Sequence, residues 1–188
     1  AAAINSKLAE GLHLVLQPGI YHLDKPIVVN KPDTVVFGMG LVTLISANGN
    51  SCLEVGNVDG VRVSGIMLQA GPQNSDTLLK WGDESKYAGN SANPGVMQDV
   101  FARVGGPDTS EVKSTHMVKI NSGNVIIDDT WLWRADHGQG GLIVESHNPV
   151  DTGLQINGDN VTGYGLAVEH SLGHMLEWNG ENGKTYFY

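Results

Sequence analysis

This sequence predicts an all-β fold: a right-handed parallel β-helix with a short N-terminal capping helix and inserted loops. Three observations carry that expectation. First, a phrase recurs. Asp59–Leu68 (DGVRVSGIML) returns as Asn124–Trp133 (NVIIDDTWLW) and as Asn160–Glu169 (NVTGYGLAVE), with weaker copies opening at Asp33 and Asp99. Each copy is a turn residue, a short alternating strand, a Gly or Asp corner and a second short strand, and self-similarity of this kind marks a coiled solenoid. Second, the spacing fits. Val35 and Val61 are 26 residues apart, Val100 and Val125 are 25 apart, and Val161 and Thr185 are 24 apart. One coil of such a fold takes roughly 20–29 residues. The longer intervals, 39 from Val61 to Val100 and 36 from Val125 to Val161, read as the same turn carrying a loop. Third, 25 glycines supply the left-handed backbone that corners need, while only 16% of residues are charged, which suits short strands with buried inner faces.

The elements follow in order. Ala1–Glu10 places Ile4 and Leu8 on one helical face and is stopped by Gly11. A solenoid needs a cap over its first open coil, and this helix is the candidate. Leu12–Leu16, Ile20–Leu23 and Ile27–Val29 form the first coil around Gln17–Gly19 and Asp24–Pro26. Three stretches rich in Gly, Asn, Ser, Asp and Pro (Gly71–Gly95, Gly105–Thr115 and Gly138–Asp151) read as loops thrown out between strands. Lys184–Tyr188 is strand-like and no capping element follows it. The expectation is therefore one β-helix domain over residues 1–188, as a fragment of a longer multi-domain protein.

Composition narrows the partners. A net charge of −9 with no basic run argues against nucleic acid. It also disfavours polyanionic sugars unless a cation bridges them, so a neutral polymer is the easier partner. No run of about 20 apolar residues is present to span a membrane as a helix. The single Cys52 excludes an intrachain disulfide and a cysteine-rich metal site, and reads as a small buried hydrophobe. The seven His residues are scattered without a His-x-x-x-His pair on a helix, so neither a metal nor a cofactor is expected.

Aligning the copies places side chains, because equivalent residues of successive coils lie about 4.8 Å apart. Val61, Val125 and Val161 stack inward, as do Val63, Ile127 and Gly163, and Leu68, Leu132 and Val168. The positions between point outward: Met67, Trp131 and Ala167 in one column, Gln69, Trp133 and Glu169 in the next. Two tryptophans and a carboxylate then share one outer face. An indole plane accepts the apolar C–H face of a sugar ring. The alternative is that the two tryptophans lie under loops or against another domain.

Arg134, Asp136 and His137 follow at the strand end and lead into a Gly-rich loop. Such a trio is a candidate chemical site, since Asp beside His or Arg can work as acid or base. The alternative is an ion pair that merely satisfies a corner. Glu169–His170 ends the equivalent strand of the next coil, and Glu145, His147 and Asp151 lie in the intervening loop. Glycoside hydrolysis needs two carboxyl groups, roughly 5 Å apart for retention or about 6.5–9.5 Å for inversion. Glu169 and Asp136 are the first pair to consider, with Glu145, Glu177 and Asp151 as substitutes. A lyase would want a basic residue and commonly Ca²⁺ held by clustered carboxylates. The only acidic doublet on a strand corner, Asp128–Asp129, reads as a tight turn. Asn160-Val-Thr162 matches a glycosylation sequon, but Asn160 reads better as a strand-start turn.

Pro18–Tyr21, Leu23 and Ile27–Val29, followed by Asn-Val-x-Ile-Asp coils, resemble the pectate-lyase-like β-helix superfamily. Thr130–Gly138 (TWLWRADHG), Asn157–Thr162, Val168–His170 and Glu177–Gly180 more closely resemble large secreted microbial proteins. Those carry labels such as coagulation factor 5/8 type domain-containing protein or adenylyl cyclase. Their layout is similar to that of the family 55 glycoside hydrolases, β-1,3-glucanases built on two tandem β-helices. No nucleotide or paired-metal motif supports the cyclase label. The resemblance implies an extracellular, carbohydrate-active protein acting on a neutral β-glucan-like polysaccharide, with a second β-helix or a carbohydrate-binding domain as partner in the full-length chain. It also implies an active site shared by both helices, with the general acid supplied by the later one.

The leading expectation is thus a glycoside hydrolase or its N-terminal β-helix half. Glu169, Asp136 and His137 are the catalytic candidates, and Trp131, Trp133, Arg134, His170, Glu145 and Asp151 the substrate-binding ones. A non-catalytic binding or structural solenoid is the second reading, and a polysaccharide lyase the third.

Overall fold

The computed structural model describes every residue except 108–109, 142–143 and 145–146. Helix α1 (Ala2–Ala9) precedes strands β1 (Leu14–Leu16), β2 (Gly19–Leu23), β3 (Ile27–Val29), β4 (Val35–Ser46), β5 (Leu53–Val55), β6 (Arg62–Gln69) and β7 (Ser75–Trp81). Then come β8 (Gly95–Val104), β9 (Ser114–Ile120), β10 (Val125–Arg134), β11 (Val150–Ile156), β12 (Thr162–Glu169), β13 (His174–Trp178) and β14 (Lys184–Tyr186). One parallel sheet runs β1-β4-β6-β8-β10-β12-β14, with β2 also on β4; the other runs β3-β5-β7-β9-β11-β13. From β4 onward, successive strands alternate between the sheets. That is the signature of a chain coiling around one core, the expected right-handed β-helix.

Strands β6, β8, β10 and β12 of the first sheet are each bent by one left-handed residue: Gly65 (φ 71°), Asp99 (φ 50°), Asp129 (φ 51°) and Gly165 (φ 59°). Glycine takes this backbone freely, and aspartate is among the few other residues that tolerate it. The bends fall at the same level, because Asp128 pairs with Gln98 and Thr130 with Val100 on either side of them. The first sheet is therefore folded into two walls meeting at a continuous corner. In β4 the register jumps from Phe37–Ser64 to Val42–Ile66, so Gly38–Leu41 projects there as a tongue whose Leu41 is 91% exposed. The tongue's base is tight: a Cβ on Gly38 would lie 2.2 Å from the Gly65 carbonyl oxygen, and one on Gly65 would lie 2.5 Å from that of Gly38.

The inward columns are as expected. Val61, Val63, Leu68, Val125, Ile127, Leu132, Val161 and Val168 are all buried. Each such side chain contributes roughly 1.5–3 kcal/mol on burial. The helix caps the open edge: Asn5 accepts from the Val28 N–H and donates to the Pro26 carbonyl, both at 2.9 Å, while Leu8 is buried beneath it. These bonds occupy polar groups that an uncovered edge strand would present to other chains. Asp33, Asn124 and Asn160, the opening residues of three copies, are left-handed at φ 59°, 54° and 57°, so Asn160 does serve as a strand-start turn. Cys52 is fully buried, and burial pushes its thiol pKa up to about 12, which keeps the unreactive thiol form.

Some details differ from the expectation. The Asp99 copy does not open a coil. Asp99 is the mid-strand corner, equivalent to Asp129, and the coil opens near Gly95, whose neighbour Val96 pairs with Arg62 and Ile126. Likewise Val35 pairs with Arg62, and Thr162 pairs with Lys184, so both end copies are offset from the simple count. Within Gly71–Gly95, Ser75–Trp81 is strand β7 with Trp81 buried, and only the segment after it is an insertion. Its Gly-, Asn- and Pro-rich flanks masked the strand.

Arg134 is not at the surface. It is 2% exposed, and its guanidinium donates to the carbonyls of Asn148 (2.9 Å), His170 (3.2 Å), His147 (2.8 Å) and Val144. These bonds tie the end of β10 to the end of β12 and to the loop between β10 and β11. A side chain so committed does not reach a substrate hydroxyl, which overturns its expected binding role.

Two predictions follow from this packing. Arg134→Met strips four backbone carbonyls, that of Asn148 buried and the others part-buried, of this donor and lowers the unfolding free energy by on the order of 3 kcal/mol in urea denaturation, while Arg134→Lys recovers only part, lacking the planar fork. Asp99 lies against Asp129 and Asp128. Burial first, then the hydrogen bond to Asp129 and the repulsion of both carboxylates, raise its pKa above the ordinary aspartate value. A raised folded pKa means that the folded state holds the proton more tightly. The corner is therefore relieved at low pH and is destabilised as pH rises through the folded value. Asp99→Asn, which also suits φ 50°, is expected to gain about 0.5 kcal/mol near neutrality, with the gain vanishing in acid when denaturation midpoints are compared across pH.

Candidate functional site: an indole pair on the outer wall

Trp131 and Trp133 lie two and four residues beyond the Asp129 corner, so both emerge on the same outer wall of β10. Trp131 pairs with Ala167 and Trp133 with Glu169 on the next rung. The Ala167 methyl leaves Trp131 room to lean across that rung, and its indole N–H donates to Glu169 Oε2 at 3.0 Å. The Trp133 indole donates to Asp136 Oδ1 at 3.2 Å. The two indoles sit 5.3 Å apart between ring centroids, tilted by 31°, and Trp131 remains 41% exposed. They form a shallow, solvent-facing aromatic surface whose N–H edges are held by carboxylates.

Asp136 is the hub at one end. His137 Nδ1 is 2.7 Å from Oδ1, and His170 Nε2 is 3.6 Å from Oδ2. The His137 ring lies against Trp133, with centroids 4.8 Å apart. Partial burial opposes the charge on Asp136. Hydrogen bonds from His137, from its own backbone N–H and from Trp133 outweigh that cost and hold its pKa below the usual aspartate value. The group is thus kept as a carboxylate, fit to accept hydrogen bonds or a proton and ill-suited to act as a general acid near neutrality. His170 follows β12 with a left-handed backbone (φ 66°), and its carbonyl is held by Arg134.

Six of the expected residues therefore converge: Trp131, Trp133, Asp136, His137, Glu169 and His170. Asp151 does not join them. It lies on β11 in the other sheet, where its carboxylate accepts from Thr152 Oγ1 at 3.1 Å. The strand after the loop runs along a different wall, which separation in sequence alone does not reveal. Glu145 lies outside the described residues. Among the described residues, no group of three or more His, Cys, Asp or Glu side chains is placed to hold a metal ion.

Phe101 and Arg103 were missed by the sequence reading. They pair with Trp131 and Trp133 on the preceding rung, and Arg103 donates to Gln69 Oε1 through Nε (2.9 Å) and Nη2 (2.7 Å). The signal was present: they stand two and four residues after Asp99, the same offsets as the tryptophans after Asp129. It is legible only when the copies are aligned on the corner and not on the opening turn.

Comparison with known proteins agrees with this architecture. The LAM55 pectate lyase-like domain matches residues 1–188. An exo-β-1,3-glucanase of Streptomyces sp. (strain SirexAA-E / ActE) is 46% identical over 188 residues, covering 100% of this chain and 30% of that protein. The solved structure of sacteLam55A from Streptomyces sp. SirexAA-E is similar with a TM-score of 0.93 at 46% identity, over 100% of this chain and 33% of that one. A variant of sacteLam55A in complex with glucose gives the same values. The chain thus spans about a third of the length of the relatives it matches. Matched from end to end by one domain family, and over its whole length by a solved relative, the chain belongs to the LAM55 pectate lyase-like domain family.

Proposed function

We propose that this chain forms the glucan-holding part of an extracellular β-1,3-glucan hydrolase, completed by a second β-helix of the same protein. The observation that carries the reading is the indole pair on one wall, Trp131 exposed and Trp133 half-buried, with each N–H fixed by a carboxylate. Indole planes fixed in this way offer an apolar face to a sugar ring at little entropic cost, while Glu169, Asp136, His137 and His170 surround it with hydroxyl partners. The relatives' names supply the polymer, a β-1,3-glucan, and the exo mode of attack. A neutral polymer is also the one that a chain of net charge −9 does not repel.

On this reading Glu169 and Asp136 align the indoles, and Asp136 is available as a base and not as an acid. The binding-only alternative for this chain gains from the same two bonds, since both candidate carboxylates already serve as acceptors for tryptophan.

In the full-length protein, Trp131→Ala and Trp133→Ala are each expected to weaken laminarin-oligosaccharide binding about tenfold, read from calorimetry and from quenching of indole emission. Unchanged affinity in both variants removes the sugar platform. Glu169→Gln keeps an acceptor for Trp131 but can neither take up nor give up a proton. Turnover within a few-fold of wild type is expected, and a loss of about a hundredfold or more would instead place proton transfer on Glu169. Because the folded pKa of Asp136 is depressed, its contribution to the platform is present above that value and is lost as pH falls through it. Asp136→Asn therefore abolishes the acid limb of the binding profile, which is measured by fluorescence titration at a series of pH values.

A further inference from the structure

The tryptophan wall continues beyond the pair. Following the register back from Trp131, the same outward column carries Phe101, Met67, Thr43 and Ile20. These side chains, with Arg103 and with Leu41 of the tongue, line an open cleft of about 510 Å³. The tongue exists only because β4 carries extra residues at the corner, so its contribution to the cleft lining is a local feature of this coil.

We infer that this cleft is a further binding site for the same polymer. A glucan chain seated on Trp131 and Trp133 continues onto Phe101 and into the space between Met67, Ile20 and Leu41. The inference rests on the sugar-platform reading above. Three features point to a sugar occupant. The cleft begins one rung, about 4.8 Å, from the indoles, so a polymer leaving them meets Phe101 next. Its floor combines an aromatic ring, a thioether and aliphatic groups, which suit the C–H faces of pyranose rings. Its margin carries the Thr43 hydroxyl and the Arg103 guanidinium, the latter braced in plane by Gln69 Oε1, and both can meet ring hydroxyls. Leu41 lines this space together with Ile20, and at 91% and 67% exposure the two leave apolar surface open for an occupant.

The test is a chain-length series. In the full-length protein, affinities for laminarioligosaccharides from the disaccharide to the hexasaccharide are measured by calorimetry under conditions in which no product accumulates. Wild type is expected to gain about five- to tenfold for the sugars that reach the cleft. Phe101→Ala and Leu41→Asn are expected to flatten that gain, bringing the ratio of long- to short-chain affinity close to one. Leu41→Asn serves as the folding-neutral check, because the side chain is exposed and asparagine accepts φ 51°. A length series unchanged in both variants overturns the inference, including the case in which another stretch of polypeptide fills the cleft. The platform reading fails separately, when Trp131→Ala and Trp133→Ala leave every length bound as in wild type.

Discussion

The structure depends on one constraint: the left-handed bends of β6, β8, β10 and β12 must fall at the same level from one coil to the next. Parallel hydrogen bonding ties each rung to the next, so a bend displaced by one residue would turn every following side chain to the opposite face. Gly65, Asp99, Asp129 and Gly165 meet the requirement with the residue types that pay least for positive φ. The bend also sorts the surface. Tyr164, which pairs with Asp128, lies before the corner and stacks on Tyr186 with centroids 5.2 Å apart. Trp131 and Trp133 lie after it and form their own wall. Two aromatic clusters close in sequence thus face different directions, and only one of them has Asp136 and Glu169 within reach.

Most of this was legible where the repeat is cleanest. The alternation in Asn124–Trp133 and Asn160–Glu169 fixes which side chains point inward, and the observed pairing of Trp133 with Glu169 is the one that the register gave. Alternation is legible because burial of one face imposes period two. The failures share a cause. Asp can open a coil, as Asp33 does, or bend its middle, as Asp99 does, and both positions have the same backbone conformation. Local sequence does not separate them; hydrogen-bond partners do. Strand β7 was hidden for a related reason, since its flanks carry the residues that make insertions. The fate of Arg134 was not legible at all. A strand-end arginine with aspartate and histidine beside it suggests a charged site, and only the path of the following loop decides that its partners are backbone carbonyls.

The site has an electrostatic logic that follows from its acceptors. An indole N–H that loses water needs a partner, and a carboxylate is a strong one. Placing Glu169 on the rung beside Trp131 and Asp136 three residues beyond Trp133 supplies both. Because Asp136 is shared with His137 and approached by His170, its charge is supported from several sides and does not depend on one long flexible partner. The aromatic surface is therefore held by groups that themselves present oxygen and nitrogen atoms to a ligand. That combination suits a neutral, hydroxyl-rich molecule better than an ion.

Arg134 connects this surface to the stability of the solenoid. Burying a guanidinium is expensive, and the cost is tolerable only because its donors meet backbone carbonyls in place of the water they lose. Those carbonyls belong to the loop after β10 and to His170, so one side chain sets where Asp136 leaves the wall and where His170 begins. The loop thereby takes part of its anchorage from a core residue, alongside its own Asn148, whose side chain holds the Gly140 carbonyl and the Val112 N–H. Its interior can change length or composition without moving the indole pair, provided that the carbonyls of Val144, His147 and Asn148 still return to the same guanidinium. In a solenoid whose insertions collect on one side, such an anchor lets the loops diversify while the strands stay in register.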